Sequence, residues 1–88
     1  MKVKPDYVLK EVAGQHIVVP TGHAAIDFRG VLTLNSSAKF LFELLSTHRT
    51  EGELVQHVVD KYRIREQQAQ ADVHEFIGLL RNRKMLDE

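Results

Sequence analysis

The chain has 88 residues, of which 43% are hydrophobic and 27% are charged. That length supports one modest core, so we expect a single domain over residues 1–88. The 12 basic and 12 acidic side chains cancel, which argues against a protein whose main task is to hold nucleic acid, because such proteins usually carry excess lysine and arginine. The absence of cysteine excludes disulfides, thiolate zinc sites and cysteine nucleophiles.

No targeting segment or membrane partner is predicted. The opening Met-Lys-Val-Lys-Pro-Asp has charge but no apolar run behind it, unlike a signal peptide. No stretch approaches the roughly 20 apolar residues that span a bilayer. Small secreted domains often depend on disulfides, so their absence favours the cytoplasm.

Three strands are predicted in the first third of the chain. Alternation indicates a first strand at 7–12, and a β-branched run indicates a second at 16–20. Gly14 lies between them, where its tolerance of positive φ fits a tight turn. A third strand is predicted at 24–28, followed by a bend and by extended residues 31–34. Strands joined in this order form an antiparallel meander.

The hydrophobic period changes from strand-like to helix-like at Asn35. Asn35 is a good N-cap, because its side chain accepts a hydrogen bond from the first free N–H groups of a helix, predicted here at 36–46. Thr50 and Glu53 have the spacing of a capping box at the start of a second helix.

A third helix is predicted to begin between Glu66 and Asp72 and to end near Asn82. Its inward face is formed by apolar residues at helical spacing, namely Ala69, Val73, Phe76, Ile77 and Leu80. Met85-Leu86 is expected to fold back as an apolar clasp. The element order β-β-β-α-α-α predicts an α+β fold of winged helix-turn-helix type, in which a three-stranded antiparallel meander precedes three helices.

No catalytic motif is found, and neither a metal nor another cofactor is expected. The histidines lack the spacing of a helical metal site; they are His16, His23, His48, His57 and His74. A triad of a serine with His48 and Asp60 lacks a nucleophile elbow, and helix ends explain the serines. Asp72 and Glu75 share a helix face at the spacing of a carboxylate pair, which surface positions also explain. We therefore expect a protein that is not an enzyme.

A winged helix-turn-helix makes DNA binding the alternative function. The N-terminal half of the third helix would enter the major groove, where its glutamines could read bases, namely Gln67, Gln68 and Gln70. However, Glu66 and Asp72 lie where phosphates would approach. The basic residues before the helix form only a small patch, consisting of Lys61, Arg63 and Arg65.

The third predicted strand offers a different kind of surface. Residues 24–28 carry one charge and two alanines, without the lysines and prolines that usually protect a sheet edge. An extended peptide could pair with this strand and place alternate side chains against Val73, Ile77 and Leu80 of the third helix. In the other reading the strand is plain core, covered by the domain itself. The same edge permits self-pairing into a homodimer.

Three motifs follow one another at matching places in the chain. They are Leu34-Asn35-Ser36-Ser37-Ala38 at the junction, Thr50 at the start of the second helix, and Asp72-Val73-His74-Glu75-Phe76-Ile77-Gly78-Leu79-Leu80 in the third helix. Together they resemble the PqqD family of peptide chaperones, whose domains are also called RiPP recognition elements. The resemblance covers nearly the whole chain, and its residues are mostly structural.

The resemblance implies a non-catalytic protein that binds the leader of a ribosomally made precursor peptide and presents it to a modifying enzyme, often a radical S-adenosylmethionine enzyme. The leader would lie as an added strand between the third strand and the third helix. By position, the peptide-facing residues would be Ala25, Ile26, Asp27, Phe28 and Arg29 on the strand, and Val73, Ile77, Leu80, Arg81 and Lys84 on the helix.

One departure from the family pattern concerns the end of the third helix. Many members have glycine just before the closing apolar pair, whereas this chain has Arg83-Lys84. Asn82 is expected to take the left-handed conformation there instead. The departure favours a relative of the quinone-cofactor (PQQ) biosynthesis protein, not that protein itself.

Overall fold

A computed structural model of the chain describes residues 1–22 and 31–88. Its elements in chain order are β1 (Lys2–Val3), β2 (Tyr7–Val12), β3 (Gln15–Pro20), β4 (Leu32–Leu34), α1 (Ser36–Leu44), α2 (Glu51–Tyr62), α3 (Glu66–Asn82) and β5 (Leu86–Asp87). The antiparallel order β2-β3-β4 followed by three helices confirms the predicted α+β fold. The strand predicted at 24–28 lies outside the described residues.

A two-residue turn joins β2 to β3. The pair Val12 and Gln15 closes the hairpin, and Ala13 and Gly14 between them have φ values of 52° and 79°. Two successive positive φ angles match the right-handed twist of the flanking strands. The turn predicted at Gly14 is confirmed, and Ala13 takes a conformation that glycine or asparagine would adopt more easily.

The third strand of the described sheet lies directly before the first helix. β4 pairs with β3 through Val18 opposite Leu32 and His16 opposite Leu34. Leu32 and Leu34 are buried while Thr33 between them is exposed, the alternation of a strand with one face on the core. Residues 32–34 of the extended segment predicted at 31–34 therefore belong to the sheet itself.

The start of α1 is fixed as predicted, and its end comes earlier. The Asn35 Oδ1 accepts a hydrogen bond from the Ala38 N–H at 2.8 Å. The helix ends at Leu44 and not at Ser46, because the N–H of Leu45 is shared between the carbonyls of Leu41 and Phe42 and the last turn tightens.

The predicted capping box at the start of α2 is also confirmed. The Thr50 N–H donates to Glu53 Oε1 at 3.0 Å, and the Glu53 N–H donates to Thr50 Oγ1 at 3.1 Å. Hydrogen bonding to Thr50 holds the pKa of the Glu53 carboxyl below its usual range. The bond from the Thr50 N–H has the larger effect, and the bond from the Thr50 side chain has the next largest. The box satisfies two backbone donors that the first turn leaves without helical partners.

The end of α3 differs from the prediction. Asn82 is the last helical residue, and the left-handed residue is Lys84, with φ of 58°. The Met85 N–H reaches the Leu80 carbonyl at 3.0 Å, and the Lys84 N–H reaches Arg81 at 3.0 Å. These two bonds form a Schellman motif, in which Lys84 occupies the place that glycine usually takes.

The two ends of the chain pair with each other. Val3 lies opposite Leu86 in the antiparallel pair of β1 and β5, and the Lys4 N–H donates to the Met85 carbonyl at 2.9 Å. Met85 and Leu86 are buried, which confirms the apolar clasp. Residues 2–3, for which the sequence predicted no strand, form the strand that receives the clasp.

One apolar cluster joins β1, β3 to β5 and the three helices. Its fully buried members include Leu45, Leu54 and Met85, from elements far apart in the chain. Among the described helices, none combines the length and apolar character needed to cross a bilayer.

Candidate functional site

The outer edge of β4 is the first component of the candidate site. The Thr21 N–H donates to the Asp6 carbonyl at 2.7 Å and continues the β2–β3 register. In an antiparallel ladder, hydrogen-bonded and non-bonded pairs alternate. Because Thr21 bonds to Asp6, every second residue of β3 counted back from Thr21 also bonds to β2. The residues between them, which include His16 and Val18, direct their backbone groups away from β2 and toward β4.

The same alternation fixes the orientation of β4. His16 and Val18 bond to Leu34 and Leu32, so the N–H and C=O of Thr33 point away from β3. In the described part of the chain no strand pairs with that side of β4. Within residues 1–22 and 31–88, Thr33 therefore has one donor and one acceptor that no strand uses, and an added extended chain pairs with groups of this kind.

A groove between the three helices is the second component. It has a volume of about 720 Å³, and its apolar lining includes Leu41 of α1, Val58 of α2 and Phe76 of α3. Tyr62 and Leu79, each 37% exposed, lie at its opening. We call this depression the helical groove. Because Asn35 also lines it, the groove begins where β4 ends.

Three of the predicted helix contacts lie inside the core. Val73, Ile77 and Leu80 are 0%, 1% and 0% exposed. The residues that α3 presents in the helical groove are instead their neighbours Asp72, Glu75, Phe76 and Leu79. Sequence spacing holds a signal for this second face, because Asp72, Phe76 and Leu79 recur at helical intervals beside the core stripe. A peptide contact by Val73, Ile77 or Leu80 stays a prediction.

Arg81 and Lys84, the other two helix residues predicted to bind peptide, lie on the surface. The Arg81 guanidinium donates to both carboxylate oxygens of Glu88, at 2.9 and 2.6 Å. This bidentate bond lowers the pKa of the Glu88 carboxyl and raises that of Arg81. A carboxylate on a peptide would compete with Glu88 for the Nε and Nη2 donors of Arg81. Lys84 is exposed in its left-handed conformation.

The predicted strand contacts lie outside the described residues; they are Ala25, Ile26, Asp27, Phe28 and Arg29. Their role stays a prediction. The described edge nearest to them in sequence is that of β4, beginning at Leu32.

Several side chains considered for catalysis or for metal binding have partners within the protein. The Ser37 hydroxyl donates to the Asn35 side chain at 3.1 Å, and Asp60 accepts from Gln56 at 2.9 Å. His57 lies 3.3 Å from the Arg49 guanidinium, and His74 lies 3.4 Å from Glu51. Residues 1–22 and 31–88 contain no group of three acidic or histidine side chains placed to hold a metal ion.

The surface considered for DNA carries mixed charge. The three glutamines at the start of α3 are exposed, and Gln68 donates to the Asp72 carboxylate at 2.8 Å. Lys61 lies over the rings of Phe40 and Tyr62, at 4.9 and 5.8 Å from their centres. Lys61, one of the few basic residues near α3, is therefore engaged in a cation–π contact within the protein.

Comparison with known proteins points to one family. The family described as "Coenzyme PQQ synthesis protein D (PqqD)" matches residues 16–86. No curated protein sequence matches the chain. Among solved structures, the chain is similar to one described as "TbiB1 in Complex with the TbiA(beta) Leader Peptide", with a TM-score of 0.78 and 16% sequence identity. The alignment covers 99% of this chain and 95% of that one, so the two share a fold.

Proposed function

Because the chain belongs to the PqqD family, we propose that it is a non-catalytic module that binds the leader of a ribosomally made precursor peptide. The leader adds as a strand to the outer edge of β4, beside α3. The module then presents the bound peptide to a modifying enzyme of the radical S-adenosylmethionine type.

The observation that carries the proposal is the orientation of Thr33. Its backbone donor and acceptor point away from β3, on a side of β4 where the described residues supply no strand. A chain that pairs there gains main-chain hydrogen bonds, and pockets beside the strand then select its side chains. The similar structure holds TbiB1 with a leader peptide, which supports a peptide ligand for this fold.

The predicted contact residues remain part of the proposal. Ala25 to Arg29 would extend the peptide-pairing edge before β4, with Asp27 and Arg29 making polar contacts. On α3, Arg81 and Lys84 would contact the peptide at the surface, and Val73, Ile77 and Leu80 would support the groove wall from inside the core.

A proline at Thr33 tests strand addition. Proline is tolerated on an edge strand where the replaced N–H faces outward, so Thr33→Pro should keep the fold and remove the edge donor. Thr33→Val is the matched control, because it changes the side chain and keeps the N–H. The ligands are synthetic leaders of short peptides encoded beside the gene, titrated against ¹⁵N-labelled protein.

We expect wild type and Thr33→Val to bind with amide shifts along 31–34 and α3, and Thr33→Pro to lose at least tenfold in affinity. Equal binding by the proline variant, with its fold intact by circular dichroism, would rule out strand addition at β4.

The alternative function is that of a winged-helix DNA-binding transcriptional regulator. Salt-sensitive binding to duplex DNA, with amide shifts along 61–71, would favour that alternative. A homodimer paired through this edge would dissociate as peptide is added, which sedimentation measures.

A further inference from the structure

The helical groove joins an apolar interior to an acidic opening. Leu41, Val58 and Phe76 line it and are nearly fully buried, whereas Asp72 and Glu75 line it and are exposed. No lysine or arginine is among the described residues that line the groove. An apolar side chain therefore finds a matching interior. On the α3 side of the opening a charge meets two carboxylates, whereas on the α2 side Lys61 lies 5.8 Å from the centre of the Tyr62 ring.

The two carboxylates lie on the same face of α3. Residues three apart on a helix are neighbours, so Asp72 and Glu75 can approach one cation together. Asp72 Oδ1 already accepts from Gln68, which holds that side chain at the surface of the helix. The arrangement favours a basic group and disfavours a phosphate or an acidic residue at the opening.

The groove is continuous with the edge that the proposed function uses. Thr33 presents its backbone groups at the outer edge of β4, and Asn35, two residues later, lines the groove. A peptide strand on β4 that continues past Leu34 therefore reaches the groove. The occupant can be another part of the same leader, without any second partner.

We infer that the helical groove selects leaders in which a bulky apolar residue stands close to a lysine or arginine. The apolar side chain enters between Leu41 and Phe76, and the basic side chain lies against Asp72 and Glu75. This inference rests on the proposed function and adds to it the chemistry of the sequence that is recognised.

A displayed library of random peptides, selected on the folded protein, tests the inference. Selected peptides are then measured against wild type and against the double variant Asp72→Asn with Glu75→Gln. The control pairs Glu11→Gln with Asp60→Asn, which removes the same charge from exposed positions outside the groove lining. A peptide whose basic residue is replaced by glutamine completes a double-mutant cycle.

We expect selection to enrich an aliphatic or aromatic residue together with lysine or arginine. The double variant should bind such a peptide about three- to tenfold more weakly, and the glutamine peptide should no longer distinguish it from wild type. The control variant should bind like wild type. Leu79→Ala, at the groove opening, should weaken the binding of peptides with large apolar residues more than the binding of other peptides.

Two failures have different meanings. Peptides that are selected without a basic residue, or that bind the double variant as well as wild type, overturn this inference and leave strand addition at Thr33 intact. If no peptide is enriched by the folded protein, peptide binding itself fails, and the proposed function falls together with the inference.

Discussion

At the scale of single residues, the helix starts show how short-range bonds specify structure. Asn35 caps α1 through one side-chain oxygen, and Thr50 and Glu53 cap α2 reciprocally. By contrast, Arg65 at the start of α3 makes no capping bond with its side chain. The Glu53 carboxylate is the member of the box whose contribution depends on pH.

Replacement of Glu53 by glutamine should flatten the dependence of stability on pH. The Thr50 bonds lower the folded-state pKa of Glu53. The contribution of Glu53 to the free energy of unfolding is therefore complete above the unfolded-state pKa, and it is lost as the pH falls through the folded-state pKa. The free energy of unfolding, measured in urea at neutral pH and at about pH 3, should therefore differ less between the two pH values for Glu53→Gln than for wild type. A pH dependence for Glu53→Gln as large as that of wild type would contradict this role for Glu53.

At the scale of elements, α3 carries two faces with different tasks. One face holds Val73, Ile77 and Leu80 in the core, and the next holds Asp72 and Leu79 in the helical groove. The sequence predicted the helix and its inward stripe. It could not separate core contact from ligand contact, because both use apolar residues at the same spacing.

Alanine substitutions should separate the two faces of α3. Ile77→Ala should lower the free energy of unfolding by about 2–5 kcal/mol, because it leaves a cavity in a buried cluster. Leu79→Ala removes a side chain that is 37% exposed and should cost less than about 1 kcal/mol. Urea unfolding measures both. Similar losses at the two positions would contradict the assignment of Leu79 to the groove.

At the scale of the whole molecule, short strands from the two ends close the core. The Val3 N–H donates to the Leu45 carbonyl, and the Lys4 N–H donates to the Met85 carbonyl, each at 2.9 Å. β1 thus connects the end of α1 to the segment that follows α3. Met85, whose carbonyl accepts the bond from Lys4, has no exposed surface.

Met85→Ala should be costly although Met85 lies in no helix or strand. We expect a loss of about 2–5 kcal/mol in the free energy of unfolding, measured in urea, because the residue is fully buried. Val12→Ala, at an exposed position of the β2–β3 hairpin, should change it by no more than about 0.5 kcal/mol. A small loss at Met85 would mean that the paired ends contribute little to the cooperative unit.

The sequence by itself determined the features that depend on neighbours in the chain. Asn35, the Thr50 box, the Gly14 turn and the inward stripe of α3 follow from bonds or spacings within a few residues, so local patterns are sufficient to predict them. The resemblance to PqqD proteins rests on three of these features, namely Asn35, Thr50 and part of the α3 stripe.

Only the tertiary structure decided which surfaces are buried and which are open. It made residues 32–34 the third strand of the described sheet, paired Val3 with Leu86, and placed Ile77 in the core beside the groove residue Leu79. Each outcome depends on contacts between segments far apart in the chain. Strand pairing and burial are settled when all apolar faces are covered at once, so no local pattern specifies them.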